Sequence, residues 1–384
     1  MSTLNTIIGE LARAADSGDA TVLATVVRVT GSSYGGVGSR MLARIDGSTV
    51  GLVSGGCLES DLAEHAKRVS ASGRAEVVSY DTRNDEDAPW GLGLGCNGLI
   101  EVLLEPLKPA GARAIAELLD VALTQTEPSV VATVIRAGGA AKDIFIGAHA
   151  WLPESGRIVT AGEWGTPSLL EETRAKRTDA LAAGRRGLVA DFGGVEIAYE
   201  VVQPGVSLVV CGSGPDALPV ASFGADLGWD VVVVDHRPHT QEHAARFPGA
   251  NLIYCEDALK VAQLAAISSR TAAVVVSHHF ERDRNYLQAL LASDAAYIGM
   301  LGPRARTERM LADLAADGIT TGDGDARLYA PVGMDLGGDG PDAIALAIIS
   351  EVAAVMGGRS GMHLRDKRGP LHAATKSAAT TGAA

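Results

Sequence analysis

The chain is short of aromatic residues, which make up 4% of its 384 positions. Its cores must therefore be built from Ala, Val, Leu and Ile. Cysteine is also scarce: Cys57, Cys96, Cys211 and Cys255 are the whole set. None forms a CxxC pair, so the closely spaced zinc and iron–sulfur patterns are absent. Four is an even number and leaves disulfides formally open, but a chain of this length needs no staples. Reduced thiols in a cytoplasm are the simpler expectation. Positive charge is in deficit, with a net charge of −13, which argues against binding a phosphate backbone, since nucleic-acid binders carry a basic face. No uninterrupted apolar run reaches the roughly 18 residues of a membrane span. The first segment, Thr6 to Ala15, interleaves charged and apolar residues, and reads as an amphipathic helix instead of a secretory signal.

What the chain does have is periodicity of two kinds. Through about residue 204 the pattern reads as β structure with occasional helices. Ala20 to Val29 is a β-branched run followed by the glycine-rich loop Gly31 to Gly38. Arg40 to Ile45 and Val50 to Val53 flank Asp46-Gly47, a hairpin signal. Leu58 to Val69 is expected as a helix, and Glu76 to Tyr80 and Leu99 to Leu104 as strands. A faint repeat runs through this region. Thr25-Val26-Val27-Arg28-Val29 resembles Thr133-Val134-Ile135-Arg136-Ala137, and Met41 to Gly47 has a counterpart in Trp151 to Gly156. The second copy has nothing like Ser54-Gly55-Gly56-Cys57. Two similar β units packed together are expected, with chance similarity as the alternative.

Past Pro204-Gly205 the pattern changes. Short apolar runs at 206–210, 231–234, 251–254, 271–276 and 295–300 alternate with helical stretches at 216–227, 257–266, 284–291, 304–316 and 341–356. Strand and helix in alternation imply a parallel sheet with covering helices. The expected organisation is an α/β chain. An N-terminal α+β domain spans 1–107 and a second β-rich unit, its weak repeat, 108–204. A Rossmann-like domain follows over 205–360, and then a disordered tail over 361–384.

Four motifs carry chemistry. Gly212-Ser213-Gly214-Pro215-Asp216-Ala217 lies between a strand and a helix, and Asp235 ends the next strand, the context of a dinucleotide fingerprint. Pro219 disturbs the helix turn that should hold a pyrophosphate, so NAD(P) binding stays open without being favoured. The strand-end loops carry Asp235-His236-Arg237, Ser277-His278-His279 and Gly302-Pro303-Arg304. His236, His239, His243, His278 and His279 follow two of these strands, in spacings typical of no metal site. An anion site using His278, Arg304 and helix N-termini is the preferred reading, and polar capping residues the plainer one. Val53-Ser54-Gly55-Gly56-Cys57-Leu58-Glu59 puts a cysteine where a helix opens, a position whose N–H groups and dipole favour an anion. Gly91-Leu92-Gly93-Leu94-Gly95-Cys96-Asn97-Gly98 sets a second cysteine in a glycine-dense loop. Singly, each cysteine is as well explained as a small buried residue; two in similar loops point to function.

These residues together resemble the XdhC/CoxI family of molybdenum-cofactor accessory proteins. The resemblance runs through Gly31-Ser32-Ser33, Gly38-Ser39-Arg40-Met41-Leu42, Ser54 to Glu59 and Gly93 to Gly98. It continues through Tyr297 to Arg304, Ala330 to Leu336 and Pro341 to Glu351, and so covers most of the chain. The chain departs from the family pattern at Pro215, Asn97 and Pro303. The resemblance implies a chaperone, not a turnover enzyme, that binds molybdopterin or its cytosine dinucleotide form, supports its sulfuration and delivers it to a molybdenum hydroxylase apoenzyme. A cysteine desulfurase is the implied sulfur source, and the oligomeric state, a homodimer included, stays open. Cys57 and Cys96 become the residues that meet the cofactor and its metal, in a pocket shaped by Arg40, Gly55, Gly56 and Glu59. Gly212, Gly214, Asp235, His278 and Arg304 would hold its phosphate end, where the cysteine loops face the strand ends. The rivals are an NAD(P)-dependent oxidoreductase and xanthine dehydrogenase itself. Four cysteines speak against the latter, since two [2Fe–2S] clusters alone need about eight cysteine ligands.

Overall fold

The computed structural model describes residues 4–31, 34–44, 46–81, 98–138, 144–238, 240–319 and 325–367. The chain divides into two compact units, Met1–Pro204 and Gly205–Ala384.

The first unit opens with α1 (Leu4–Ser17). Then come β1 (Thr21–Gly31), β2 (Arg40–Arg44), β3 (Thr49–Gly51), α2 (Glu59–Ser72), β4 (Glu76–Asp81), β5 (Gly98–Leu107) and α3 (Pro109–Leu123). A second series follows: β6 (Ser129–Ala137), β7 (His149–Leu152), β8 (Val159–Ala161), α4 (Pro167–Ala175), α5 (Arg177–Ala183), β9 (Leu188–Asp191) and β10 (Val195–Val202). The two series form two antiparallel sheets of one topology, β3-β2-β1-β5-β4 and β8-β7-β6-β10-β9.

The repeat extends to register. Thr25 pairs with Arg40 in one sheet and Thr133 with His149 in the other. Each long pair carries a bulge in the same place, next to Arg28–Glu101 and to Arg136–Glu196. The internal duplication is therefore real, and it aligns Arg40 with His149. It also shifts the expected counterpart of Met41 from Trp151 to Ala150.

Strand β1 is buried on both faces, because a β-branched run gives it apolar residues at even and odd positions alike. Leu23 and Leu42 pack with Ile7 and Leu11 of α1 and with α3. Val22, Ala24 and Val26 pack against Leu62, Ala66 and Val69 of α2. Helix α3 also meets Val131 and Val202 of the second sheet, while α4 and α5 cover that sheet's other face through Leu169 and Ala180. Where the bulges lie, Val27 and Ile135 meet in a small cluster with Leu103 and Ala198.

The second unit alternates strand and helix. Its elements are β11 (Ser207–Cys211), α6 (Ala217–Asp226), β12 (Asp230–Asp235), α7 (Gln241–Ala245), β13 (Ala250–Tyr254), α8 (Val261–Leu264) and β14 (Thr271–Val275). These are followed by α9 (Phe280–Leu291), β15 (Tyr297–Met300), α10 (Arg304–Ala316), β16 (Leu328–Tyr329) and α11 (Pro341–Met356). All neighbouring strands are parallel, in the order β13-β12-β11-β14-β15-β16. Strand order reverses between β11 and β14, where open α/β sheets present their ligand crevice. Val209, Cys211, Val232 and Val234 face α9 and α10, while Leu208, Val210, Val231 and Val233 face α6 and α11.

Two helices differ from expectation. The stretch 257–266 holds a 3-10 turn, Ala258–Lys260, and the single-turn α8. Helix α9 starts four residues early, because the His279 ring caps the Arg282 N–H. Of the expected tail, 361–367 includes a 3-10 turn at Leu364–Asp366, and 368–384 lies outside the described residues.

Candidate functional site

Cys57 is exposed, whereas Cys211 and Cys255 are buried. Cys57 precedes α2 by two residues, with Leu58 at the N-cap. Gly55 and Gly56 reach this point with φ of 80° and 111°, backbone open to glycine and rarely to other residues. Glu59 turns back on the loop and gathers its donors. Oε1 accepts from the N–H groups of Val53 at 3.0 Å and Ser54 at 2.8 Å. Oε2 accepts from the Gly56 N–H at 2.8 Å, the Leu58 N–H at 3.2 Å and the Ser54 hydroxyl at 2.6 Å. Burial pulls the Glu59 carboxyl up, but the bonds from Ser54 and Val53 outweigh it and hold it below its ordinary value. The N–H groups expected to face the sulfur are thus largely occupied by this carboxylate. Glu59 shapes the loop from within, and Cys57 stands exposed on a braced turn.

Arg40 is buried in the interior of the duplicated unit. Its Nη2 donates to Glu200 Oε1 at 2.5 Å and its Nη1 to the Gly38 carbonyl at 2.8 Å. Its Nε is buried without a partner among the described residues. The equivalent position in the second repeat holds His149, whose Nε2 lies 2.8 Å from Glu105 Oε1. Each repeat thereby places a carboxylate from its last strand against a basic side chain of the other. The half-exposed Arg28 and Arg136 do the same, each reaching both the buried Glu101 and the half-exposed Glu196. Nothing in the sequence flagged these pairings, because their partners lie 35 to 168 residues apart. Nor did it flag a groove of about 490 Å³ between the end of β1 and β9, with Arg28, Arg186, Asp191 and Glu196 among its walls. Cys96 and the glycines around it up to residue 97 lie outside the described residues, as does His239.

In the second unit, the Gly212–Gly214 turn sits at the strand reversal. A methyl group on Gly212 would meet the Ser277 and Val276 backbone at 2.9 Å, and its φ is 126°. On Gly214 it would meet nothing within 4 Å. Asp235 is 2% exposed and is committed to its own surroundings. It accepts from the Ser213 N–H at 3.0 Å and the Ser213 hydroxyl, and from the Arg237 N–H at 3.0 Å and the Arg237 guanidinium. Burial raises the Asp235 carboxyl, yet the Arg237 and Ser213 bonds prevail and hold it far below the usual carboxylate range. The acid thus braces the glycine turn from within, its two oxygens engaged by Ser213, Arg237 and His236.

His278 crosses the reversal point to Asp216, with Nε2 2.7 Å from Oδ2. Its backbone is left-handed at φ 61°, an uncommon state for a residue with a Cβ and one that costs about 1–3 kcal/mol. Arg304 opens α10 at the end of the neighbouring strand β15; it is exposed and has no ion-pair partner among the described residues. Among those residues no group of three or more His, Cys, Asp or Glu side chains is placed to hold a metal ion, and no helix is long and apolar enough to cross a membrane.

Two family models match the chain. Residues 14–81 match the XdhC and CoxI family, and residues 208–352 match the XdhC Rossmann domain. A probable xanthine dehydrogenase subunit of Bacillus subtilis is 29% identical over 331 residues, 86% of this chain and 92% of that protein. The molybdenum cofactor insertion chaperone PaoD of Escherichia coli is 26% identical over 354 residues, 91% of this chain and 88% of that protein. A crystal structure described as a xanthine dehydrogenase of Bacillus halodurans superposes with a TM-score of 0.73 at 29% identity, covering 92% of this chain and 96% of that one. With two family models placed in order along it and taking in more than half its length, and with relatives matched over most of their own, the chain belongs to the XdhC and CoxI family.

Proposed function

We propose that the chain is a molybdenum-cofactor accessory protein. It takes the cofactor as cargo in the cytoplasm, supports its sulfuration and hands it to the apoenzyme of a xanthine-dehydrogenase-type hydroxylase. The relationship to a molybdenum cofactor insertion chaperone supports this. The observation that carries it to named residues is the exposed Cys57 thiol on a loop held still by Glu59. The donor set suits such cargo: a soft sulfur ligand matches molybdenum held by a dithiolene, and Gly56 before it leaves open space at its Cβ position. In the second unit, Gly214, whose Cβ position is empty space, and the N-terminus of α6 suit a phosphate. His278 and Arg304 stand beyond adjacent strand ends as hydrogen-bond donors for the same anion. Molybdopterin and its cytosine dinucleotide both present such a phosphate. A cysteine desulfurase as sulfur donor and a homodimer belong to the same proposal. The enclosed Asp235 disfavours the NAD(P) reading.

The test is to purify the protein from cells with an intact molybdenum pathway and to oxidise and identify any bound pterin by fluorescence. Pterin is expected with the wild type and greatly reduced with Cys57→Ala, at unchanged thermal stability and with a matching loss of client activation. Iron and sulfide should be substoichiometric. A wild-type protein free of pterin, or stoichiometric iron and sulfide, overturns the reading.

A further inference from the structure

The loop from Tyr34 to Ser39 and the loop from Val53 to Leu58 meet at two glycines. A methyl group on Gly35 would run into the Val53 carbonyl and lie 2.9 Å from Ser39 Oγ. One on Gly55 would lie 3.1, 3.2 and 3.3 Å from Tyr34 Cγ, Cδ1 and Cδ2. Near-equal distances to three ring carbons place Gly55 over a face of the ring and not at its edge. Tyr34 is nonetheless 61% exposed. One face of the ring is seated on backbone, the other is open, and the exposed Cys57 lies two residues beyond the seat.

The second repeat offers an internal comparison. The Arg40 carbonyl accepts the Leu52 N–H where His149 pairs with Ala161. Counting on from these pairs sets Trp164 where Gly55 stands and Thr166 where Cys57 stands. Trp164 is buried at 5% exposure and its indole donates to the His149 carbonyl at 2.9 Å. Thr166 caps α4. The second repeat fills this place with its own aromatic ring, while the first leaves it as glycine under an open ring.

We propose that Tyr34 is a stacking platform for a flat heteroaromatic ring, the pterin of the cargo, set beside the Cys57 thiol. The proposal rests on the accessory-protein reading above. Flat heterocycles gain from offset stacking on an aromatic face, and removing such a face costs a nucleic-acid base about ten-fold or more in affinity. An exposed ring already seated on backbone loses little freedom when a second ring covers it.

The experiment uses the full chain and free pterin as the probe, read by quenching of pterin fluorescence, together with the pterin retained on purification from molybdenum-competent cells. Tyr34→Ala should weaken pterin binding and lower retention by about ten-fold, with its melting temperature unchanged because the ring covers no core. Tyr34→Phe and Tyr34→Trp should behave as wild type. Retention by Tyr34→Ala equal to wild type overturns the platform and leaves the accessory function standing. Equal loss in Tyr34→Phe overturns it too, since the hydroxyl and not the face would then be at work. A wild type that binds no pterin by either measure overturns both.

Discussion

Acidic side chains in this molecule serve its turns from inside. Glu59 collects four N–H groups and a hydroxyl; Asp235 collects the Ser213 turn and Arg237. Both carboxyls are held below their ordinary values, by hydrogen bonds that overcome burial. The sign of the linkage follows. Each contributes stability above the ordinary carboxylate value near pH 4, and the contribution is lost as pH falls through the depressed folded value. Glu59→Gln keeps the shape but removes the charge, and one amide nitrogen cannot accept. It should destabilise the protein by about 1–2 kcal/mol at neutral pH and flatten the acid limb of its stability curve, as urea titrations at pH 7 and pH 4 would show. Amide exchange should rise at residues 53–58. An unchanged acid limb would mean that the carboxylate does not hold the loop. The two fingerprint glycines separate in the same way. Gly212→Ala meets backbone at 2.9 Å with a φ reserved for glycine, so a loss of about 1–3 kcal/mol in a denaturant titration is expected. Gly214→Ala should leave stability within about 0.5 kcal/mol and weaken binding of a phosphate-bearing ligand, read by isothermal titration. Unaltered affinity would show that no ligand approaches that backbone.

Among the elements, the parallel sheet was the most legible part. Strands such as Val231 to Val234 are buried on both faces, and such strands must be apolar throughout; the run in the sequence is the burial itself. Helix α11 could be read from Pro341 to Met356 because proline and glycine mark its two ends. The single-turn α8 and the two-residue β16 could not, being too short to show a period. The duplication was faintly visible through Thr25–Val29 and Thr133–Ala137, and one residue out of step through Met41–Gly47 and Trp151–Gly156, because the copies keep their register and bulge more than their side chains. For the site, the Cys57 loop was legible from its glycines. The task of Glu59 was not, since a carboxylate near a pocket and one inside a turn read alike. Arg40–Glu200 and His149–Glu105 were illegible too, because each pair joins different repeats. Those pairs are 6% exposed or less on every side chain. Removing one member of such a pair strands a buried charge, at a cost of about 3–5 kcal/mol, whereas apolar replacement of both is often mild. Arg40→Met and Glu200→Leu should therefore each destabilise strongly, and the double variant less than either. A double-mutant cycle by chemical denaturation measures this; additive losses would show that the two side chains do not compensate each other.

At the scale of the whole molecule, the fold sets which pieces stand alone. The unit from Gly205 onward has a six-stranded sheet covered on both faces by its own helices, so a 205–367 fragment should be soluble and unfold cooperatively. Residues 1–204 should do the same, because both repeats and the shared helix α3 are present. Residues 1–107 should not, although that segment carries a complete five-stranded sheet, two helices and the Cys57 loop. Without the second repeat, Arg40 loses Glu200 and Glu105 loses His149, so neither side chain keeps the partner that orders it. The cluster of Val27 and Leu103 loses Ile135 and Ala198. The apolar face of sheet and helix that meets α3, Val131 and Val202 opens to water. Each large apolar side chain returned to water costs about 1.5–3 kcal/mol, and a domain's net stability is only about 5–15 kcal/mol. Far-UV circular dichroism and calorimetry of the three fragments decide the matter. A cooperative melt from 1–107 would mean that the repeats are independent domains and that their buried pairs are incidental. A melt from 1–204 together with an uncooperative 1–107 fixes the duplicated pair as the smallest folded frame that can present the Cys57 loop.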